Sequence, residues 1–281
     1  MFTNKEIADY YNQTLDHYQI WWNMSETQSV HYGIWHANTP NFNEALRNTN
    51  REMASLAEIK PNQYVLDAGC GVAGSSLFLA KEFNCKVKGI TLSHKQAAIA
   101  LQEISKAKLQ DQIEVSVQDY TQTQFEKESF DVVWACESSC YAQPKTSFLT
   151  EAYRLLKPGG KLVVADYFLT ESGLQDAKHF IRNWGDTWAI DEFNSKQNFI
   201  QPLETMGFNL TKIENYTAQI TRSSRRMYRS FLVGAIPSIL YNATHRTSRF
   251  AKRHYLSGKF QYQALKNKQW EYLILVATKK Q

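Results

Sequence analysis

The run Val65-Leu66-Asp67-Ala68-Gly69-Cys70-Gly71-Val72-Ala73-Gly74 decides the fold. A short apolar strand closes on an aspartate, three glycines follow, and a helical pattern over 75–83 begins at once. Gly69 and Gly71 carry no Cβ, so the backbone there turns tightly and comes close to a ligand. Gly74 lets the helix pack against the strand. The spacing Gly69-x-Gly71-x-x-Gly74 also fits a dinucleotide fingerprint. Two details weigh against a nicotinamide. Asp67 stands ahead of the first glycine, where a carboxylate acts at the start of the loop. The next strand ends Lys88-Gly89-Ile90-Thr91, without the acid that takes an NAD ribose.

Working outward, strands and helices alternate. Residues 86–91 read as a second strand and 93–108 as a helix with Ser93 as its cap. Residues 112–117 form a third strand, 130–135 a buried fourth, and 161–167 a fifth. The helix between the last two, 145–156, is stopped by Lys157-Pro158-Gly159-Gly160. Such alternation means a mainly parallel sheet covered on both faces, with ligands beyond the carboxyl ends of its strands. Asp67, Thr91, Asp119, Glu137 and Asp166 all lie at or just past those ends. Further on, 199–206 reads as a helix ended by Gly207, and 208–216 and 270–278 read as a closing antiparallel pair.

With 281 residues and 43% hydrophobic content, one large α/β domain with insertions is expected. No apolar run approaches a membrane span. The start Met1-Phe2-Thr3-Asn4-Lys5-Glu6 lacks the regions of a signal peptide. Cys70, Cys85, Cys136 and Cys140 show neither zinc spacing nor a secreted framework. A cytoplasmic chain with free thiols is expected, and no metal.

Asp67-x-Gly69-x-Gly71, the turn Leu156-Lys157-Pro158-Gly159-Gly160 and the entry Met206-Gly207-Phe208 resemble class I S-adenosylmethionine-dependent methyltransferases. The resemblance covers roughly 55–216 and 270–278. Gly89-Ile90-Thr91-Leu92-Ser93-His94-Lys95-Gln96 and His31-Tyr32-Gly33-x-Trp35 narrow it to the tocopherol, sterol and cyclopropane-fatty-acid methyltransferase branch, which lacks the usual ribose acid. It implies a Rossmann-like, seven-stranded, mainly parallel sheet with an antiparallel last strand and a helical, aromatic cap. The implied division is a cap segment 1–58, a core of 59–216 with 270–281, and a basic, apolar cap insertion 217–269.

The same resemblance distributes roles. Asp67, Gly69 and Gly71 lie under the methionine part of S-adenosylmethionine, and Thr91, Leu92 and Gln96 hold its ribose and adenine. Asp119 faces the adenine amino group, with Tyr120 beside the ring. Cys136 and Glu137 stand beside the sulfonium, a cation that carboxylates and aromatic faces stabilise. Tyr11, Tyr18 and Tyr32 touch cofactor or substrate. Glu137 is the first choice for the polar group at the reacting centre, Tyr141 the second and His31 the third. Many relatives carry His at the Tyr141 position, so phenol O-methylation by a histidine base is not expected. Ring formation is not expected either, because the full bicarbonate site of cyclopropane synthases has no match.

Two regions speak to the acceptor. Tyr10, Tyr11, Tyr18, Trp21, Trp22, Tyr32 and Trp35 crowd the first 35 residues, and Phe180, Trp184, Trp188 and Phe193 follow strand five. Together they imply a largely apolar pocket. Residues 215–270 hold eleven Lys/Arg and no Asp or Glu, leaving 21 Lys/Arg against 27 acids elsewhere. Interleaved with aliphatics and aromatics, these charges suit an anionic membrane surface or amphiphile at 217–268, or simply a solvated face. Nucleic acid is not expected. The expected reaction is methyl transfer to a lipophilic or amphiphilic small molecule, at carbon first and oxygen second, as in a prenylated quinol, sterol-like or prenyl compound. The alternatives are N-methylation of a small amine and a non-catalytic cofactor-binding protein.

Overall fold

The computed structural model describes residues 1–245 and 248–280. Seven strands form one sheet: β1 (Tyr64–Ala68), β2 (Lys86–Thr91), β3 (Ile113–Val117), β4 (Phe130–Cys136), β5 (Leu156–Leu169), β6 (Phe208–Asn215) and β7 (Trp270–Lys279). Their order is β3-β2-β1-β4-β5-β7-β6. β1 to β5 run parallel, while β7 lies antiparallel to both β5 and β6. The chain starts mid-sheet at β1, moves out to β3 and returns to β4 on the other side. The reversal between β1 and β4 opens a crevice beyond their carboxyl ends.

Side chains alternate along the strands with a period of two. Val65, Val132, Trp134 and Val163 face α3 (Phe42–Ala57), α4 (Gly74–Phe83) and α5 (His94–Lys106). Leu66, Val133, Leu162 and Leu275 face α6 (Lys145–Leu155) and, further along the chain, the helix Lys196–Thr205. Both cores exclude water, so the sheet is a rigid platform. Caps fix where its helices begin. Ser93 Oγ accepts from Gln96 N at 3.0 Å to start α5, as its position before the helical pattern predicts.

Over the crevice lie the N-terminal α1 (Asn4–Trp21) and α2 (Met24–Thr27). Beyond β5 come α7 (Glu171–Gln175), α8 (Phe180–Trp188) and α9 (Lys196–Thr205). The stretch between β6 and β7 folds as α10 (Thr217–Thr244), α11 (Arg249–His254) and α12 (Ser257–Lys266). α12 packs on α10 and α8, and α11 on α1 and α8. Gln261 stitches this cap to the core. Its buried Oε1 accepts from Tyr32 Oη and Ser224 Oγ, both at 2.7 Å. Arg246, one of the eleven basic residues, lies outside the described residues.

The fold differs from the sequence expectation at three edges. β5 runs to Leu169 because β7 pairs with it that far, Trp270 opposite Leu169. Asp166 is therefore inside a strand, not at its end. The turn at Lys157 does not follow a longer helix: α6 stops at Leu155, and Gly159, at φ +76°, lies in the first half of β5. α9 starts three residues early because Ser195 Oγ accepts from Asn198 N at 3.1 Å. Among the described residues no helix is long and apolar enough to cross a membrane. All four cysteines are free thiols.

Candidate active site

The glycine loop is pinned from both sides. Gly69 N and Cys70 N both donate to Ile90 O, at 3.0 and 2.9 Å, which ties the loop to the end of β2. Gly69 sits at φ +98°, and a Cβ there would stand 2.4 Å from Ser138 Cβ, so only glycine fits. Gly74 meets something other than the expected strand. Its Cβ position lies 2.3 Å from Gln28 O, so it admits the segment after α2. At the end of β1, Asp67 is buried and its Oδ2 accepts from Ser76 Oγ at 2.6 Å. Burial raises its pKa to about 6, opposed by the Ser76 bonds.

At the end of β2, Thr91 Oγ1 donates to Gln96 Oε1 at 2.8 Å and accepts from Ser93 N at 3.2 Å. Ser93 Oγ in turn donates to Asn12 Oδ1 of α1 at 2.7 Å, holding the cap over this end. Gln96 Nε2 lies 3.8 Å from the position a Gly71 Cβ would take. Tyr120 Oη donates to Ser138 O at 2.6 Å, which fixes its ring beside the loop.

Glu137 follows β4 in a left-handed conformation, φ +53°, costly for a residue with a Cβ. Its Oε1 accepts from Tyr32 N at 2.6 Å and Tyr272 Oη at 2.8 Å. Its Oε2 accepts from Tyr167 Oη. Burial pushes its pKa up to about 8 despite these three donors. Nearby, Tyr11 Oη donates to Tyr141 Oη at 3.1 Å. Burial raises the Cys136 thiol and the Tyr141 phenol well above their ordinary values. His31 Nδ1–H donates to Tyr32 O at 2.9 Å, and Nε2 faces the Asn50 amide at 3.5 Å. Burial lowers its pKa to about 4, so it is neutral at pH 7.

One cavity of about 90 Å³ collects these groups. It is lined by Asp67, Gly69, Gly71, Thr91, Leu92, Gln96, Tyr120, Cys136, Glu137, Tyr141, Tyr11, Tyr18 and His31. Two expected residues are not among its walls. Tyr32 turns its phenol to Gln261 and meets the site through its main-chain N–H to Glu137. Asp119 lies in an adjoining cavity of about 240 Å³. Its Oδ1 accepts from Thr121 and its Oδ2 from Asn4 Nδ2 at 2.6 Å. Asp166 supports the site from behind, accepting from Ser139 Oγ at 2.6 Å and Cys140 N at 2.9 Å.

Sequence reasoning missed Ser76, Tyr167 and Tyr272, the partners of the two carboxylates. Tyr167 follows Asp166 directly, but Tyr272 sits in a strand whose alternation says only that it faces inward. Among the described residues no three His, Cys, Asp or Glu side chains gather as a metal site. The chemistry of the lining suits S-adenosylmethionine: a backbone passage kept open by glycines, a Thr–Gln pair for hydroxyls and two carboxylates for positive charge.

Residues 66–164 match the family described as a methyltransferase domain. The chain is 28% identical over 165 residues to methyltransferase GfsG of Streptomyces halstedii, covering 58% of each. It is 34% identical over 160 residues to 2-methyl-6-phytyl-1,4-hydroquinone methyltransferase of Synechocystis sp., covering 56% of this chain and 49% of that one. The chain thus spans about half the length of these relatives. In fold it is similar to the cyclopropane synthase MmaA2 of Mycobacterium tuberculosis, with TM-score 0.84 and 15% identity over 99% of both chains. Residues 66–164 thus resemble a methyltransferase domain, and the sheet built around them has the fold of these solved enzymes, among them a geranyl diphosphate methyltransferase in complex with S-adenosylmethionine, similar at TM-score 0.70 and 19% identity.

Proposed function

We propose that the protein moves a methyl group from S-adenosylmethionine to a lipophilic or amphiphilic small molecule, at carbon, with a prenylated quinol, sterol-like or prenyl compound as the acceptor class. One observation carries the reading. Asp67 and Glu137, two buried carboxylates, share a cavity with the Thr91–Gln96 pair at the sheet's switch point, under an aromatic cap. The phytyl-quinol specificity in the name of the Synechocystis relative supports the acceptor class.

Bound there, S-adenosylmethionine supplies an electrophilic methyl on a sulfonium. Asp67 and the loop at Gly69 and Gly71 would hold its methionine part, and Thr91, Leu92 and Gln96 its ribose and adenine, with Tyr120 beside the ring. Asp119, next to Tyr120, would reach the adenine amino group on release from Asn4. Glu137 has one role before transfer and another after it. In the ionised form, which prevails above its pKa of about 8, its charge favours a developing cation on the acceptor, and it then takes the leaving proton. Tyr11, Tyr141, Tyr167 and Trp188 line the same cavity and exclude water from it. Much of the acceleration then comes from holding the acceptor in line. The pairing of a carboxylate with aromatic faces also suits a cationic amine, which keeps N-methylation of a small amine as the second reading.

The helices over 217–269 would contact an anionic membrane surface. Leu232, Val233, Ile236, Ile239 and Leu240 of α10 are each more than half exposed. Exposed Arg225 and Arg229 precede them, and exposed Lys252 and Arg253 follow.

Incubating the purified chain with S-adenosylmethionine labelled in its methyl group, against a lipid extract and a soluble extract, tests the reaction. Label is expected in the organic phase. Label confined to water-soluble amines would favour the second reading, and label in neither would remove both.

A further inference from the structure

A second cavity, of about 510 Å³, lies between the end of α1, the outer half of α10, and α11 with the start of α12. Its size is that of a pocket for a drug-sized molecule. Ile20, Trp21, Trp22, Met227, Phe231 and Pro237 give it its apolar walls. None of its described lining residues is Asp, Glu, Lys or Arg, although the 215–270 stretch that supplies much of the lining holds eleven Lys/Arg in sequence. An ionic ligand finds no counter-charge in such a lining. A hydrocarbon chain gains in proportion to the apolar area it buries there.

Tyr18 lines both this cavity and the cofactor cavity. The wall beside it is polar but already satisfied. Tyr18 Oη meets Tyr10 Oη at 2.7 Å, Tyr10 Oη meets His254 Nε2 at 3.2 Å, and His254 Nδ1 meets His17 Nδ1 at 3.1 Å. Trp22 ties the floor to the same region, its Nε1 donating to His31 O at 2.8 Å. The wall therefore asks no hydrogen bond of an occupant.

We propose that this groove holds the uncharged hydrocarbon chain of the acceptor, whose reacting end passes Tyr18 into the cofactor cavity. The proposal rests on reading the first cavity as the methyl-transfer site, and it narrows the acceptor to a molecule with a long alkyl or prenyl tail.

Gly234 gives the means to test it. A Cβ there would stand 3.7 Å from Trp21 Cζ2, ordinary contact, in a helix and without a left-handed φ. Gly234→Ala leaves the groove open, and Gly234→Phe fills it. The probe is 12-bromododecan-1-ol, a neutral chain whose bromine quenches tryptophan on contact, read by Trp21 and Trp22. Saturable quenching is expected in the wild type and in Gly234→Ala, reversed by unbrominated dodecan-1-ol. In Gly234→Phe the apparent affinity should fall by about tenfold or more, while calorimetry shows unchanged S-adenosylmethionine binding. Absence of saturable quenching in the wild type, or equal quenching in Gly234→Phe, overturns the proposal. So does a wild-type dimer in sedimentation that Gly234→Phe turns into monomer, because a second copy then covers the groove. A wild type that binds the bromoalcohol but not S-adenosylmethionine removes the methyl-transfer reading instead, which keeps the two failures distinguishable.

Discussion

Tyr272 donates its phenol to Glu137 Oε1 at 2.8 Å, joining β7 to the end of β4 across 135 residues of chain. The antiparallel strand that closes the sheet thus also holds the carboxylate at the centre of the site. Tyr167 from β5 and the Tyr32 main chain complete the cradle. All three bonds favour the ionised form, and burial opposes them.

The sign of a Tyr272→Phe effect follows. Loss of one donor to the carboxylate raises the Glu137 pKa further above about 8. A hydrogen bond to a charged group is worth about 1.5–3 kcal/mol, so the alkaline rise in turnover should move up by about one pH unit or more. Glu137→Gln should lower turnover by roughly 10²-fold above pH 8, where the wild-type carboxylate is ionised, and the gap should close as pH falls. In both variants S-adenosylmethionine should bind within a few-fold of wild type. A pH–rate profile with calorimetry checks this; a Tyr272→Phe profile superimposed on wild type would leave Glu137 a purely structural acid.

Gly71→Val should abolish cofactor binding while the fold persists. The residue sits at φ +55°, and its Cβ position opens on the cavity with only Gln96 Nε2 nearby, at 3.8 Å. A branched side chain there occupies the passage and strains the loop by about 1–3 kcal/mol. Calorimetric titration with S-adenosylmethionine, beside a thermal melt, decides it. Wild-type affinity in the variant would refute the placement of the cofactor.

Gln96→Ala tests the ribose end. It leaves the buried Thr91 hydroxyl without its acceptor and should weaken the cofactor by about 1–3 kcal/mol. The wild type should show no heat with NAD, since no acid ends β2. Measurable NAD binding would reverse the reading of the glycine loop.

The strands and the order of the loop were legible because each rests on local pattern, whereas most cavity walls were named through the resemblance to class I methyltransferases. Gly69 and Gly71 mark a turn, Ser93 marks a cap, and alternation marks the buried faces. What joins residues far apart in the chain was not legible. Tyr272, Tyr167 and Ser76 reach the carboxylates through tertiary packing, and no spacing announces that. Tyr32 carries a family motif, yet its phenol turns to Gln261, because a partner 229 residues away satisfies it. The basic stretch shows the same limit in another form. Composition counts its charges, but only the structure separates those already engaged from those that are free to act on a surface.

That separation shapes the membrane prediction. Arg222 lies 3.7 Å over the Trp35 ring, and Arg226 lies over Phe42 and donates to Trp21 O. Neutralising these two would loosen the cap. Arg225, Arg229, Lys252 and Arg253 are exposed beside the apolar face of α10. Replacing those four with Gln should weaken co-sedimentation with anionic vesicles, by about 1 kcal/mol for each charge near the surface. The effect should fade at high salt, where screening shortens the reach of exposed charges. Ile236→Asp with Leu240→Asp should remove the binding that survives at high salt, because the apolar face then resists burial. S-adenosylmethionine affinity should stay unchanged in both sets. Equal binding of wild type to neutral and anionic vesicles, or binding to neither, would leave 217–268 a solvated basic face.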